Sequence, residues 1–338
     1  MALAQYAGRR LLSIIPVLFL ITLITFFILR ILPGNPVLLY VGGFADPSVI
    51  KSVTKLLGLD QPLYIQYLKY LNGLIHGDLG TSFYTGQPVV QDLRQRFPAT
   101  VELTVLSMIV AVVFAIPLGI VSALRRNKPV DHGVRLVTTL GISMPEFWLG
   151  LLLIQVFFVH FHLVPAPIGR LDTVMSPPKT ITGLYTIDSL LTLNGATFFS
   201  AVAHLILPVA TLGFIFSAPI ARQTRSAMMD ALSSEPVRIA RADGIRESTV
   251  ILRYGLRQGL APIVTIIGLV FSYLLGGDVL VEVVFAWPGL GQYAVLAIQH
   301  QDYSAVQGVV LLVTVTVVLV YLVIDVLYAV IDPRITYR

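Results

Sequence analysis

Cysteine is absent from the 338 residues, so a disulfide, a thiolate metal site and a cysteine nucleophile are all excluded. Charge is scarce too. Asp, Glu, Lys and Arg make up 12% of the chain, about half the share of a soluble domain. Set against 56% hydrophobic residues, so little charge does not cover a soluble surface. That excludes intrinsic disorder, a coiled coil and an ordinary cytosolic enzyme, and leaves a polytopic membrane protein. The motifs of catalysis are missing as well. There is no G-x-x-x-x-G-K-[ST] phosphate loop and no H-E-x-x-H metal helix. Gly141-Ile142-Ser143-Met144-Pro145 lacks the second glycine of a G-x-S-x-G elbow. His160 and His162 stand on different faces of a helix, whereas a helical metal pair needs a spacing of roughly three or four. No catalytic residue, metal site or cofactor bound by this chain is therefore expected. The excess of 23 Lys and Arg over 18 Asp and Glu reflects topology in a membrane chain, not nucleic acid.

What the sequence does contain is long apolar runs. A crossing helix needs about 20 of them in a row, and six stretches qualify: 11–32, 100–124, 136–161, 200–220, 260–282 and 305–330. Strands of a membrane barrel are near ten residues and alternate, so the spans are helical and the fold is all-α. The run after Arg9 and Arg10 is too long for a signal core and no A-x-A site follows it, so it reads as an uncleaved first span. Six spans put both termini on one side. That side carries fifteen of the 23 Lys and Arg and is therefore expected to be cytoplasmic. The organisation that follows is 1–32 as the cytoplasmic N-terminus and span one, 33–98 as a large extracytoplasmic cap loop, and 99–338 as a five-span core. Within the cap loop, Pro47–Leu57 and Pro62–Ile75 carry apolar residues at helical spacing.

The polar cytoplasmic segment 221–258 carries the most information. Ser234-Glu235-Pro236 has the composition of a helix start, with Ser234 or Glu235 as cap and Pro236 in the first turn. Gly244 supplies a left-handed stop. Between them lies a helix of about eight residues, about 12 Å long. It presents Val237, Ala240 and Ala242 with Arg238 and Arg241: small residues that permit close approach, and arginines that supply donors. An amphipathic helix lying at the headgroups and a strut pressed into a partner's groove both fit this pattern.

Three runs in this segment carry a resemblance to a known family. They are Thr224-Arg225-Ser226-Ala227-Met228, Glu235-Pro236-Val237-Arg238-Ile239-Ala240-Arg241-Ala242-Asp243-Gly244 and Gly255-Leu256-Arg257-Gln258. Others follow in order along the chain: Leu32-Pro33-Gly34-Asn35-Pro36, Leu57-Gly58-Leu59-Asp60-Gln61-Pro62, Gly77-Asp78-Leu79-Gly80-Thr81-Ser82, Pro98-Ala99-Thr100-Val101-Glu102-Leu103, Ser143-Met144-Pro145-Glu146-Phe147-Trp148-Leu149-Gly150, Leu280 through Gly291, and Asp332-Pro333-Arg334. Together they resemble the permease subunits of ABC importers, in the dipeptide, oligopeptide and nickel branch, and most of all its dipeptide member. The resemblance implies a type I ABC importer permease fold with six transmembrane helices in the bacterial inner membrane. It implies a coupling loop at 221–258, in which Glu235, Arg238, Ala240, Arg241, Ala242, Asp243 and Gly244 meet an ATPase. It also implies partners: a second permease subunit, two cytoplasmic ATPase subunits that use ATP and Mg, and an extracytoplasmic substrate-binding protein. Cargo on this reading is a peptide, with dipeptides ahead of longer peptides, glutathione, haem or nickel chelates.

Charged groups within spans are costly and functional by default. Glu146 follows Met144-Pro145, where the lost backbone bond suggests a kinked, wet stretch in span three; Glu146 and Asp278 are candidates for the translocation path, where they favour a cationic group such as a peptide amino terminus. Glu282, Trp287, Pro288 and Gly289 are candidates for an outer gate turn. Glu102 lies near the start of span two, and Asp325, near the cytoplasmic end of the last span, reads as a residue that holds helices in register. A proton-coupled secondary transporter using Glu146, Asp278 and Asp325 as a relay is the rival reading. It calls for an inverted repeat, and none is visible in the sequence.

Overall fold

A computed structural model describes the backbone of residues 2–31, 36–41, 46–276 and 278–331, and side chains of 14–31, 37, 38, 41, 46–276 and 278–326. The runs Leu32-Pro33-Gly34-Asn35 and Asp332-Pro333-Arg334, and the side chains of Arg9 and Arg10, lie outside these residues. Helices in chain order are α1 (Ala2–Ile31), α2 (Pro36–Val41), α3 (Pro47–Leu56), α4 (Leu63–Ile75), α5 (Val89–Leu124), α6 (Pro129–Ser143) and α7 (Glu146–His160). Then come α8 (Tyr185–Leu191), α9 (Gly195–Leu232), α10 (Glu235–Ala242), α11 (Glu247–Leu275), α12 (Val279–Val284), α13 (Leu290–Gln299) and α14 (Tyr303–Ile331). Five of them are long and apolar enough to cross a membrane, and α6 and α7 pass the same test only when the two bent halves are taken together as one span.

At the centre, α5 and α9 run side by side in the same direction. Their seam is set by glycine. A Cβ on Gly119 would meet Thr224 Cβ at 2.6 Å, and one on Gly213 would meet Val110 Cγ1 at 2.7 Å, so only glycine lets the two backbones come this close. Leu103, Met108, Leu205, Leu212 and Ile220 form a core with Val281, Phe285 and Trp287 from beyond the fifth span. At 36 and 38 residues, α5 and α9 are each about 55 Å long, well beyond a hydrocarbon layer of about 30 Å. Their ends therefore stand clear of the bilayer, α9 on the side that leads into α10. α4 docks on the outer end of α1: Phe26 and Tyr67 stack edge to face at 5.1 Å, and Arg30 Nε donates to Gln66 Oε1 at 3.0 Å.

Several span limits differ from those read off hydropathy: the fourth runs from Gly195 to Leu232 and the fifth starts at Glu247, and three further differences bear on the site. The second span begins at Val89 instead of near 100. Asp92 lies inside its first turn, its carboxylate taken up by hydroxyl donors from Thr85 and Tyr293, so the helix continues past the apolar run. The third is two helices, bent by 103° at Met144-Pro145, where proline removes a backbone donor and disfavours α geometry in the residue before it. The fifth ends at Leu275 instead of 282. Asp278 and Glu282 therefore belong to the chain beyond it: Asp278 caps α12, accepting from Val281 N at 3.3 Å, and Glu282 lies within that helix.

Candidate functional site

α10 forms as its local sequence dictates. Pro236 sits in the first turn, and Gly244 closes the far end at φ +72° with Ile245 N donating to Ala240 O at 3.1 Å, the bond pattern of a left-handed helix stop. Ser234 takes the cap position, but its hydroxyl donates backwards to Ala231 O at 2.6 Å and leaves the cap without a side-chain bond. Val237 and Ala240, one turn apart, are buried against Val250 with Leu232, Ile245 and Tyr254 around them. Ala240 is thus an inward anchor within the chain. Glu235, Arg238, Ile239, Arg241, Ala242, Asp243 and Gly244 are exposed. Ile239 is 54% exposed, an apolar side chain among charges that sequence reasoning passed over because it read the helix by its small residues and arginines. The seat of α10 is a widened π-helical turn, Val250–Gly255. Arg241 Nη2 bonds Glu247 Oε1 at 2.7 Å, tying the helix to the start of α11.

The break between α6 and α7 opens a cleft of about 460 Å³ lined by Ser143, Met144, Pro145 and Glu146, with Phe216, Pro219 and Arg222 of α9 opposite. Glu146 is half-buried on its rim. Asp278 is buried, within electrostatic reach of Glu146 and Glu282. Tyr273 is coupled to both Glu146 and Asp278, and its ring lies 5.5 Å from that of Phe216. The structure therefore brings Glu146 to the cleft and sets Asp278 behind it. Arg222, Phe216 and Tyr273 were missed; their signal was a cation and two aromatics on spans that face the proline break.

At the end opposite α10, the candidate gate residues are closely packed and hydrogen-bonded. Glu282 accepts from Thr100 Oγ1 at 2.6 Å and Gln292 N at 2.9 Å. Leu290 N donates to Thr100 Oγ1 at 2.8 Å, and Trp287 Nε1 donates to Ala99 O at 2.9 Å. A Cβ on Gly289 would meet Glu282 Oε1 at 2.1 Å, so glycine is required where the turn crosses the carboxylate. Glu102 pairs with the buried Arg170, whose guanidinium also lies 3.5 Å from the Tyr185 ring centre. Asp188 accepts from Thr182 N, Ile181 N and Gly183 N. Burial alone would push its carboxyl up, but these bonds outweigh that and hold it below the ordinary carboxylate range.

Residues 115–337 match the family described as binding-protein-dependent transport system inner membrane component, and residues 3–104 match the N-terminal family of the same transport systems. The chain is 47% identical over 315 residues to a probable D,D-dipeptide transport system permease protein, DdpB, of Escherichia coli K12, covering 93% of this chain and 92% of the relative. It is 43% identical over 336 residues to the di/tripeptide transport system permease protein DppB of Pseudomonas aeruginosa, covering 99% of each. A glutathione transport system permease protein, GsiC, of Escherichia coli O6:H1 is 41% identical over 334 residues, again 99% of each. Among solved structures, an inward-facing MetNI methionine ABC transporter chain shares the fold, with TM-score 0.53 and 18% identity over 72% of this chain and 97% of that one.

Proposed function

The chain belongs to the family of binding-protein-dependent transport system inner membrane components, and from that premise we propose that it forms one half of the pore of an ATP-driven importer of short peptides. It is a multi-pass inner-membrane permease subunit, and the family works with ATPases and a substrate-binding protein. In our reading a second permease subunit completes the pore and two ATPase subunits consume ATP and Mg, since this chain carries no nucleotide motif. Both termini are cytoplasmic, as the arginine distribution supports. Dipeptides are the cargo, supported by likeness to permeases named for dipeptides and di/tripeptides.

The observation that carries the proposal is α10. Val237 and Ala240 fasten it to its own chain, and the rest of its length is exposed, so it presents a surface to a partner while staying rigidly joined to α9 and α11. ATP-driven closure of the ATPases moves α10, and α9 and α11 carry the motion into the bilayer as alternating access. Glu146, at the cleft, receives the peptide's cationic amino group, with Asp278 adding negative potential behind it. Glu282, Trp287, Pro288 and Gly289 form the fixed outer turn against which the path opens and closes.

Purification and reconstitution test this. Tagged chain is expected to bring ATPase subunits with it, and a cysteine placed at Ala242 in this cysteine-free chain is expected to crosslink to them. Uptake should require ATP and be competed by dipeptides more strongly than by pentapeptides. Proton-driven uptake by the chain alone in vesicles would favour the secondary-transporter reading and remove the proposal.

A further inference from the structure

The most enclosed carboxylate at the α10 end of the molecule belongs to neither the cleft nor the coupling helix. Asp131, in the first turn of α6, has a fully buried side chain. It accepts from Arg225 Nε at 2.7 Å and Arg225 Nη2 at 2.9 Å, a two-pronged grip from α9. Ser122 Oγ at the end of α5 donates at 2.6 Å. Asn127 N, in the turn between α5 and α6, donates at 2.9 Å. Both prongs are charge-assisted, and the paired geometry fixes direction as well as distance. One residue thus joins the ends of three spans.

Two further facts give the joint a mechanical meaning. First, α6 meets α9 a second time beyond the joint: a Cβ on Gly141 would meet Ala218 Cβ at 3.0 Å, so the two helices touch at Asp131–Arg225 and again at Gly141–Ala218, on either side of a cavity of about 190 Å³ lined by Gly133, Val137 and Ser217. Second, α6 ends at the 103° break, immediately before Glu146 and the cleft. In the other direction Arg225 stands seven residues before Leu232, the last residue of α9, about 10 Å along the axis, and α10 begins at Glu235.

We propose that Asp131 and Arg225 are a positioning pair for transport: they lock α6 to the α9–α10 unit, so that motion of the coupling helix is delivered to the broken third span and bends it at Pro145. The inference rests on the coupling role of α10 given above. α6, α9 and α10 move as one body, and α7 moves relative to them, changing the cleft at Glu146. The pair touches no cargo and acts through the helix it holds.

The test uses the complete transporter in lipid, with spin labels on introduced cysteines at exposed positions: Leu136 on α6, Ser233 at the α9–α10 junction and Leu151 on α7. Between the resting and ATP-bound states the Leu136–Ser233 distance is expected to stay constant while the Leu136–Leu151 distance changes. In Arg225→Gln the Leu136–Ser233 distance is expected to broaden and to shift with ATP. Uptake per ATP hydrolysed should then fall about tenfold or more, hydrolysis itself persisting, since one partner of a buried pair is lost. Arg225→Lys keeps the charge and loses the fork, and is expected to recover part of that ratio. If Arg225→Gln does not assemble, the distances in the unsubstituted pair still decide. A change in Leu136–Ser233 of more than about 5 Å, one helical turn, overturns the proposal, as does a normal uptake-to-hydrolysis ratio in Arg225→Gln. Absence of any ATP-dependent distance change overturns the coupling role of α10 itself, a different failure from α10 moving while α6 stays behind.

Discussion

The two ends of the molecule are held in opposite ways. At the end opposite α10 six acids are buried; five of them, Asp92, Glu102, Asp188, Glu282 and Asp302, are met by hydroxyl, backbone N–H or guanidinium donors, while Asp278 accepts from Val281 N and keeps one carboxylate oxygen without a donor. At the α10 end Asp131 is the buried acid among the described residues, and α10 itself rests on two small apolar anchors. A buried carboxylate with a full set of donors fixes a loop in one position, because any displacement leaves charge and donors unpaired in a low-dielectric setting. An exposed helix seated on Val237 and Ala240 has no such constraint on its outer face. On the function proposed above, the difference makes the turn opposite α10 a fixed frame and the α10 loop a handle, the division of labour that alternating access around a central cleft calls for.

The largest effect is expected where the frame is cut. Arg170→Ala leaves Glu102 charged and buried with only Thr186 as donor, and the loss of one partner from a buried pair costs about 3–5 kcal/mol. Thermal unfolding of the purified transporter in detergent reads this directly, and a melting temperature within error of the unsubstituted protein would show that the outer end is not a frame. Gly289→Ala comes next. Its Cβ meets a carboxylate oxygen at 2.1 Å, and because Glu282 is held by Thr100 and Gln292 it has no room to retreat. Overpacking of this kind costs about 1–3 kcal/mol, and the same melting assay measures it. The pairing with Glu282 is tested by Gly289→Ala in a Glu282→Ala background, where the added methyl should be tolerated far better than in the native chain.

How much of this was legible in the residues differs between the two ends for the same reason. α10 was readable to the residue because its limits are set locally: Pro236 starts it and Gly244, at positive φ, stops it. The break in the third span was signalled by Met144-Pro145, although a kink was expected and a 103° turn is found. The frame was hidden because its bonds join distant residues. Glu102 and Arg170 are 68 positions apart and Thr100 and Glu282 are 182 apart, and hydropathy carries no record of such pairs. Hydropathy also ran past Leu275, because apolar residues resume at Val279; Gly276-Gly277-Asp278 was the local mark of the stop. Gly289, Trp287 and Glu282 were singled out together by their motif, but the reason for the grouping, a glycine passing over a buried carboxylate, is visible only in three dimensions.

The smallest effect on stability is expected at the handle, and there it should coincide with a large effect on function. Ile239 is 54% exposed and stands outside the buried cluster that anchors α10, so Ile239→Asp should shift the melting temperature little, as surface changes within about 0.5 kcal/mol do. Its apolar side chain is nevertheless placed among Arg238, Ala242 and Asp243, where only a partner surface makes use of it. A carboxylate there desolvates poorly in an interface and pays for burial without a donor. Co-purification of ATPase subunits should therefore fall, and ATP-dependent uptake with it, while the permease pair remains folded and assembled. The matching control is Val237→Asp, which places the same charge on the inward face against Val250 and is expected to destabilise the chain strongly. If the two substitutions have the same effect on melting, the distinction between anchored and presented faces of α10 fails; if Ile239→Asp leaves ATPase binding and uptake intact, the handle is not gripped at this face.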